Sequence, residues 1–251
     1  MELVVLGSGT GVPSRRRGAA GYVVQMGGGP LLFDCGPGTV TRLVSNHIDP
    51  TAIDRVFLSH LHPDHCADVI ALVFANSWTP GFRRERSLVV TGPAGTALWL
   101  ERLFEAFPGL RPKTWQAVVE EWVEGRAEWD ECVVTSAAVV HGDTPALGYR
   151  ITDGERTLVY SGDTGETPEI VRLATGADSL LIECSFPDEV QAVSGHLGPS
   201  AVGRIATEAG VARVILTHQY PYCEGVDIAG QCGSVYSGEI VRAEDGMHLL
   251  V

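Results

Sequence analysis

The sequence predicts a mixed α/β fold in which sheets pack against one another with helices outside, in one domain over residues 1–251. Three observations predict it. Short apolar, β-rich runs alternate with helix-period segments in both halves of the chain, and strand candidates often follow one another directly. No close repeat, charge run or low-complexity linker divides the chain. Its 251 residues, 45% of them apolar, suffice for one well-filled core.

Taken in order, strands are expected at 3–6, 22–26 and 31–34, a helix at 38–46 and a strand at 55–59. Apolar residues at Val69, Ile70, Val73 and Phe74 have helical spacing. A strand at 88–91 precedes a helix that Pro93 opens and that runs to about Phe107, since proline suits a first helical turn. Strands follow at 118–123, 133–140, 146–152 and 157–161, with Asp153-Gly154 as the hairpin turn between the last two. A helix at 167–175, a strand at 179–183, a helix at 199–209 and a strand at 214–217 come next. Glycines at 225, 230 and 233 interrupt any period over 219–237, so this stretch reads as an irregular, mobile loop. Strands at 240–243 and 248–251 close the chain.

Mean hydropathy is only slightly positive, and no stretch approaches the roughly 18 uncharged apolar residues of a membrane helix. The first residues enter a strand-like run with no basic segment before it, so no cleaved signal peptide is expected. A soluble cytoplasmic protein without membrane partners is the expectation. The six cysteines form no CxxC pair and read as buried apolar residues of a reducing compartment, although Cys223 and Cys232 leave an exposed pair open. A net charge of −13 weighs against long nucleic acid, which calls for a basic footprint. Two local basic clusters remain, Arg15-Arg16-Arg17 and Arg83-Arg84 with Arg86; the second reads as a solvated loop.

The chemistry concentrates in His60-Leu61-His62-Pro63-Asp64-His65, directly after the strand at 55–59. His60 and His62, two apart, share a face, and beyond Pro63 the turn lets Asp64 and His65 aim at a second point nearby. Three imidazoles and a carboxylate suit zinc, or iron or manganese. His141, Asp163 and His218 each stand at the carboxyl end of an expected strand, where binding groups gather in α/β folds.

HxHxDH followed by His, Asp and His in that order resembles the metallo-β-lactamase superfamily. The resemblance spans the chain, including Leu32-Phe33-Asp34-Cys35-Gly36 and Tyr236-Ser237-Gly238. It implies a four-layer αββα sandwich with two divalent metal ions, zinc foremost, at one edge. It further implies one metal on His60, His62 and His141, a second on Asp64, His65 and His218, and Asp163 bridging both. Asp34 would brace the metal loop.

In the true β-lactamases of that superfamily a cysteine stands where this chain has Asp163, which disfavours that activity. Gly7-Ser8-Gly9-Thr10-Gly11-Val12-Pro13 with Arg17, and Gly195-His196-Leu197, instead resemble the phosphodiesterase branch that includes ribonuclease Z. That resemblance implies attack on phosphorus by a metal-bridged hydroxide. Asp64 would orient the nucleophile, His196 would protonate the leaving oxygen or hold a phosphoryl oxygen, and Arg17, with Arg15 and Arg16 in support, would bind an anionic substrate. Gly18 replaces the asparagine that follows the matching arginine in ribonuclease Z. A short hairpin fills the stretch from His141 to Asp163, and helices and a strand occupy 163–218, so no tRNA-gripping arm is expected. A small phosphodiester such as a cyclic nucleotide is therefore favoured over tRNA 3′-end processing. A lactonase or thioesterase on the same site, and a non-catalytic metal sensor or scaffold, are the rival readings; no appended helical domain of the glyoxalase II kind is evident. Trp78, Phe82, Trp99 and Phe104 could serve the core or a homodimer contact.

Overall fold

Side chains alternate between two faces of a strand, so a strand packed on both faces must be apolar throughout. β1 (Glu2–Gly7) shows this directly: Leu3 and Val5 enter one core, Val4 and Leu6 another. The computed structural model describes residues 1–129, 132–190 and 193–251. After β1 come β2 (Gly21–Met26), β3 (Gly29–Cys35), α1 (Thr39–Ser45), β4 (Arg55–Phe57), α2 (Pro63–Cys66) and α3 (Val69–Trp78). β5 (Leu88–Gly92), α4 (Thr96–Ala106) and β6 (Ala117–Glu121) complete the first half. The second half holds β7 (Arg126–Trp129), β8 (Cys132–His141), β9 (Thr144–Thr152), β10 (Thr157–Tyr160), α5 (Pro168–Ala174) and β11 (Ser179–Glu183). α6 (Pro199–Ala209), β12 (Arg213–Thr217), α7 (Ile228–Gly233), β13 (Glu239–Arg242) and β14 (His248–Leu250) follow.

Among the described residues the strands form two seven-stranded sheets, β14-β1-β2-β3-β4-β5-β6 and β13-β12-β11-β10-β9-β8-β7. Each sheet is antiparallel on one side and parallel on the other. In the first, pairing is antiparallel from β14 to β3 and parallel from β3 to β6. In the second, it is parallel from β13 to β10 and antiparallel from β10 to β7. The inner faces meet in a core that joins Leu3, Tyr22, Phe33 and Phe57 to Leu147, Tyr149, Tyr160 and Leu181. Outside the first sheet, Leu43 of α1, Leu72 of α3 and Leu100 of α4 cover Val4, Leu32 and Val56. Outside the second, Ile170 of α5, Ile205 of α6 and Ile228 of α7 cover Val159, Leu180 and Val214. The predicted αββα layering is the observed one.

Several sequence expectations need correction. α4 starts at Thr96, because Pro93 belongs to a turn whose carbonyl accepts from the Thr96 backbone and hydroxyl. β7 was not expected: it is a four-residue edge strand, with Arg126 and Glu128 paired at 2.7 Å, and is too short for its alternation to be read. Residues 219–237 are not irregular, since they carry a 3-10 turn (Pro221–Cys223) and α7, anchored by buried Ile228, Cys232 and Tyr236. All six cysteines are buried free thiols, including Cys223 and Cys232. Arg84 is not solvated either. Its guanidinium is buried, donating to Asp54 Oδ1 (2.6 Å), Asn76 Oδ1 (2.6 Å) and the Ser87 carbonyl (3.0 Å).

Of the four aromatics left open between core and contact surface, Phe104 is buried and Trp99 packs against the outer core, whereas Trp78 and Phe82 are exposed. Among the described residues no helix is long and apolar enough to cross a membrane.

Candidate metal centre

β8 and β10 both pair antiparallel with β9, and β10, β11 and β12 pair in parallel, so these four strands run the same way. Their carboxyl ends therefore lie along one edge, and there stand His141, Asp163, Glu183 and His218. β3 and β4 of the other sheet are also parallel to each other; Asp34 is the next-to-last residue of β3, and Ser59-His60 follow shortly after β4. Leu58 and Ser161 each donate one more backbone bond to a neighbouring strand before the chain turns away. The strands expected to reach 59 and 161 thus leave their ladders early, as the chain turns towards the edge.

Asp34 organises one side of this edge. It is fully buried, and its φ of 54° lies in the left-handed region, a conformation that costs a non-glycine residue about 1–3 kcal/mol. Its carboxylate accepts from the Ser59 backbone (2.7 Å), the Ser59 hydroxyl (2.8 Å), His65 Nδ1 (2.7 Å) and the Tyr160 hydroxyl. The Ser59 hydroxyl in turn accepts from His60 Nδ1 (3.0 Å). On the other sheet the Gly195 carbonyl accepts from His141 Nδ1 (2.9 Å), and Ser185 Oγ accepts from His218 Nδ1 (3.1 Å). In each of these four rings a fixed Nδ1–H leaves the Nε2 lone pair facing the edge.

The free nitrogens converge. His60 Nε2 lies 2.9 Å from His62 Nδ1, which lies 3.3 Å from His141 Nε2. A second group forms where His65 Nε2 and His218 Nε2 approach to 3.2 Å, with Asp64 Oδ2 at 3.8 and 3.5 Å from them. Asp163 Oδ2 sits between the two groups, 3.9 Å from His60, 3.5 Å from His65 and 3.4 Å from His218. Asp163 Oδ1 is buried without a hydrogen-bond partner. Lone pairs aimed at one another, beside an orphaned carboxylate oxygen, are unfavourable unless a cation lies among them. Nitrogen and carboxylate donors in this number suit a divalent ion of the zinc class.

Electrostatics follow from burial. Burial and the His65 charge hold His60 far below the usual imidazole range, and burial with His141 lowers His62. Burial pushes the Asp64 and Asp163 carboxyls up, but His218 and His65 outweigh it and both are held below the usual range. His65 is buried, which disfavours its cation, yet Asp163 and Asp34 together raise it well above the ordinary value. A proton is thus the natural competitor for the cation at this site.

Two glycines are demanded by the packing. A Cβ on Gly36 would lie 1.9 Å from the Asp64 carbonyl oxygen, so only glycine lets β3 pass beneath the metal loop. Gly195 has φ +84°, and a Cβ there would stand 3.1 Å from His141 Nδ1. The opening loop also reaches the site: the Gly11 backbone donates to Asp64 Oδ2 at 2.8 Å.

His196 stands beside the cluster, its ring parallel to that of His218 at 5.8 Å and edge-on to His141 at 5.0 Å. Its Nδ1 donates to Glu183, 3.1 Å from either carboxylate oxygen. Burial disfavours the imidazolium, but the Glu183 hydrogen bond and charge raise His196 above its ordinary value. Glu183 is itself buried and also accepts from the Thr164 backbone (2.7 Å), the Ser185 hydroxyl (2.6 Å) and the Leu197 backbone (3.1 Å). Sequence reasoning missed Glu183. The available signal was an acidic residue directly after the apolar run 180–182, the same strand-end placement that singled out His141 and His218.

Arg17 is placed differently from the other predicted site residues. Its guanidinium donates to Ser8 Oγ (2.6 Å) and to the Ala243 carbonyl, beside Arg242, and burial together with that second guanidinium lowers its pKa. It lines a cavity with Arg16, Glu224, Arg242, Glu244 and Asp245, a set that contains none of the clustered His and Asp residues.

Residues 30–219 match the family model described as "Beta-lactamase superfamily domain". The Bacillus subtilis protein named "Probable metallo-hydrolase YhfI" is 29% identical over 98% of each chain. Its crystal structure superposes with a TM-score of 0.84 over 99% of this chain and 98% of that one. Ribonuclease Z of Mycolicibacterium gilvum is 30% identical over 88% of this chain and 85% of its own length. The short form of human tRNase Z shares the fold, with a TM-score of 0.79 over 100% of this chain and 99% of that one at 24% identity.

Proposed function

The chain belongs to the beta-lactamase superfamily domain family, and from that premise we propose that it is a divalent-metal hydrolase acting on a small phosphodiester such as a cyclic nucleotide. The observation that carries the reading is the pairing of buried Glu183 with half-buried His196 beside the cluster of nitrogen and carboxylate donors. The thiolate of a thioester leaves without a proton, whereas the leaving alkoxide of a phosphodiester calls for a general acid such as this imidazolium.

His60, His62 and His141 would hold one ion, Asp64, His65 and His218 a second, and Asp163 would serve both, with zinc the best match and manganese or iron alternatives. Two such ions, when bound, lower the pKa of water and take up charge on phosphoryl oxygens. The chain's own part is positional. Asp64, its Oδ2 steadied by the Gly11 N–H, aligns the attacking water opposite the leaving oxygen and accepts its hydrogen bond. As the P–O bond breaks, His196 passes its Nε2 proton to the departing oxygen, while Glu183 holds Nδ1 and keeps the ring charged until then. Arg17 secures the opening loop through Ser8 and Ala243, and so supports Asp64 at one remove from the substrate.

The test is a substrate panel with zinc- or manganese-loaded protein: bis(p-nitrophenyl) phosphate, cyclic nucleotides, a thioester, a lactone and a precursor tRNA. Turnover of the phosphodiesters is expected, with loss of about 10²–10⁴-fold in His196→Ala. Turnover of the thioester or lactone alone would overturn the reading. The ribonuclease Z relatives favour a second reading, tRNA 3′-end cleavage, which preferential cutting of the precursor would establish. Asp64→Ala separates catalysis from a metal-sensing or scaffold role, since a scaffold would show no turnover in either form. A homodimer would cover the stacked, exposed Phe74–Trp78 pair of α3, and sedimentation of wild type and Trp78→Ser checks it.

A further inference from the structure

Beyond the donor cluster, a row of aromatic rings leads outward from it. The Tyr220 ring stands 6.0 Å from that of His218 and 6.1 Å from that of His196. Phe186 stacks on Tyr220 at 4.6 Å with only 20° between the planes, and Tyr222 extends the row at 6.2 Å from Phe186. Local sequence explains the projection. Tyr220 and Tyr222 flank Pro221, which opens a 3-10 turn, and Phe186 follows Ser185, whose carbonyl accepts from the Tyr220 backbone at 3.3 Å. The turn is held from beneath by buried Cys223, whose thiol donates to the Ser185 carbonyl at 3.4 Å.

The rings are not a sealed core. Phe186 and Tyr220 are half-buried, and Tyr222 is 67% exposed. Phe186 also lines a cavity of about 390 Å³ whose wall includes His196, so this ring of the row and the proposed proton donor border the same space. Exposed aromatic faces cost free energy in water, and a planar partner stacked on them recovers it.

We propose that Phe186, Tyr220 and Tyr222 form a stacking shelf that receives the base of a nucleotide whose phosphodiester lies at the His/Asp cluster. The inference rests on the phosphodiester reading and deepens it from any small diester to one carrying a planar heterocycle. Continuity carries it: the row starts one ring away from His218 and His196, so a phosphate at the cluster places an attached nucleoside over the shelf. The geometry selects for a flat ring and makes no hydrogen-bond demand on its edges, as sequence-tolerant base stacking does elsewhere. Purine nucleotides, with the larger π-surface, are expected to bind better than pyrimidine ones.

The experiment compares metal-loaded wild type, Tyr222→Ala, Phe186→Leu and the double variant. Cyclic adenosine monophosphate, bis(p-nitrophenyl) phosphate and ring-free glycerophosphocholine serve as substrates, and binding of adenosine monophosphate is followed by calorimetry. Tyr222 is exposed, so its removal leaves the core intact, and Phe186→Leu keeps an apolar contact. For the double variant, KM for the cyclic nucleotide should rise by roughly tenfold or more, the scale of one stacked base. Its kcat should hold within about twofold, and glycerophosphocholine turnover should be unchanged. Equal losses on all substrates would overturn the shelf, as would an effect confined to bis(p-nitrophenyl) phosphate, which would point to an aryl group instead. Adenosine monophosphate binding decides the matter independently of turnover. Weakened binding in the variants upholds the shelf even if the phosphodiester reading fails, and unaltered binding overturns it even if that reading stands.

Discussion

At the scale of single residues, two buried carboxylates set the proton positions on which the site depends. Glu183 raises His196, so replacing it with glutamine removes the charge while keeping an acceptor, and the His196 pKa should fall. The sign follows: a general acid works only while protonated, so the alkaline limb of kcat should move to lower pH in Glu183→Gln. A merely structural defect would lower activity evenly across the profile, and a pH–rate series from about 5 to 10 distinguishes the two. Asp34 acts on His65, fixing which nitrogen carries the proton. Asp34→Asn should therefore weaken zinc affinity by about 10–100-fold with little change in secondary structure, checked by chelator competition and circular dichroism.

At the scale of elements, the site is assembled from strand ends and short loops whose clearances leave no room for a methyl group. Gly36→Ala should push the loop carrying Asp64 away from β3, since the added Cβ would meet the Asp64 carbonyl at 1.9 Å. A fall of several degrees in Tm and loss of most activity are expected, measured by thermal melting and turnover, because overpacking of this kind costs about 1–3 kcal/mol. Element identity was largely legible from sequence. Strands 179–183 and the helix at 199–209 match the structure residue for residue, because each carries a clean apolar period bounded by turn residues. β7 was illegible because its charged and apolar residues alternate over only four positions, Arg126-Ala127-Glu128-Trp129, too few to separate a strand from a turn. α7 was illegible because its glycines break the helical pattern, while the Asp227 side chain, which accepts from the Gly230 backbone, caps it.

At the scale of the whole molecule, β1 pairs with β14, and the inner core draws side chains from both sheets. One cooperative unfolding transition is therefore expected by calorimetry. Metal should move it. With so many lone pairs converging at the sandwich edge, chelation should lower Tm and abolish turnover, and zinc should restore both. The pH sense follows from His65, which Asp163 and Asp34 hold above its ordinary value, so protons displace the cation as pH falls. Metal affinity should weaken on acidification, measured by titration between about pH 5 and 8.

The sequence alone determined the layered α/β architecture and the ligand-type residues, from His60 through His218, because apolar period and residue chemistry are local properties. Tertiary structure alone decided what surrounds them. It brought Glu183 under His196 and turned Arg17 towards Ser8 and Ala243. It also lined up Phe186 with Tyr220 and Tyr222. These contacts join residues far apart in the chain, and only the pairing of strands and the facing of two sheets sets which of them meet.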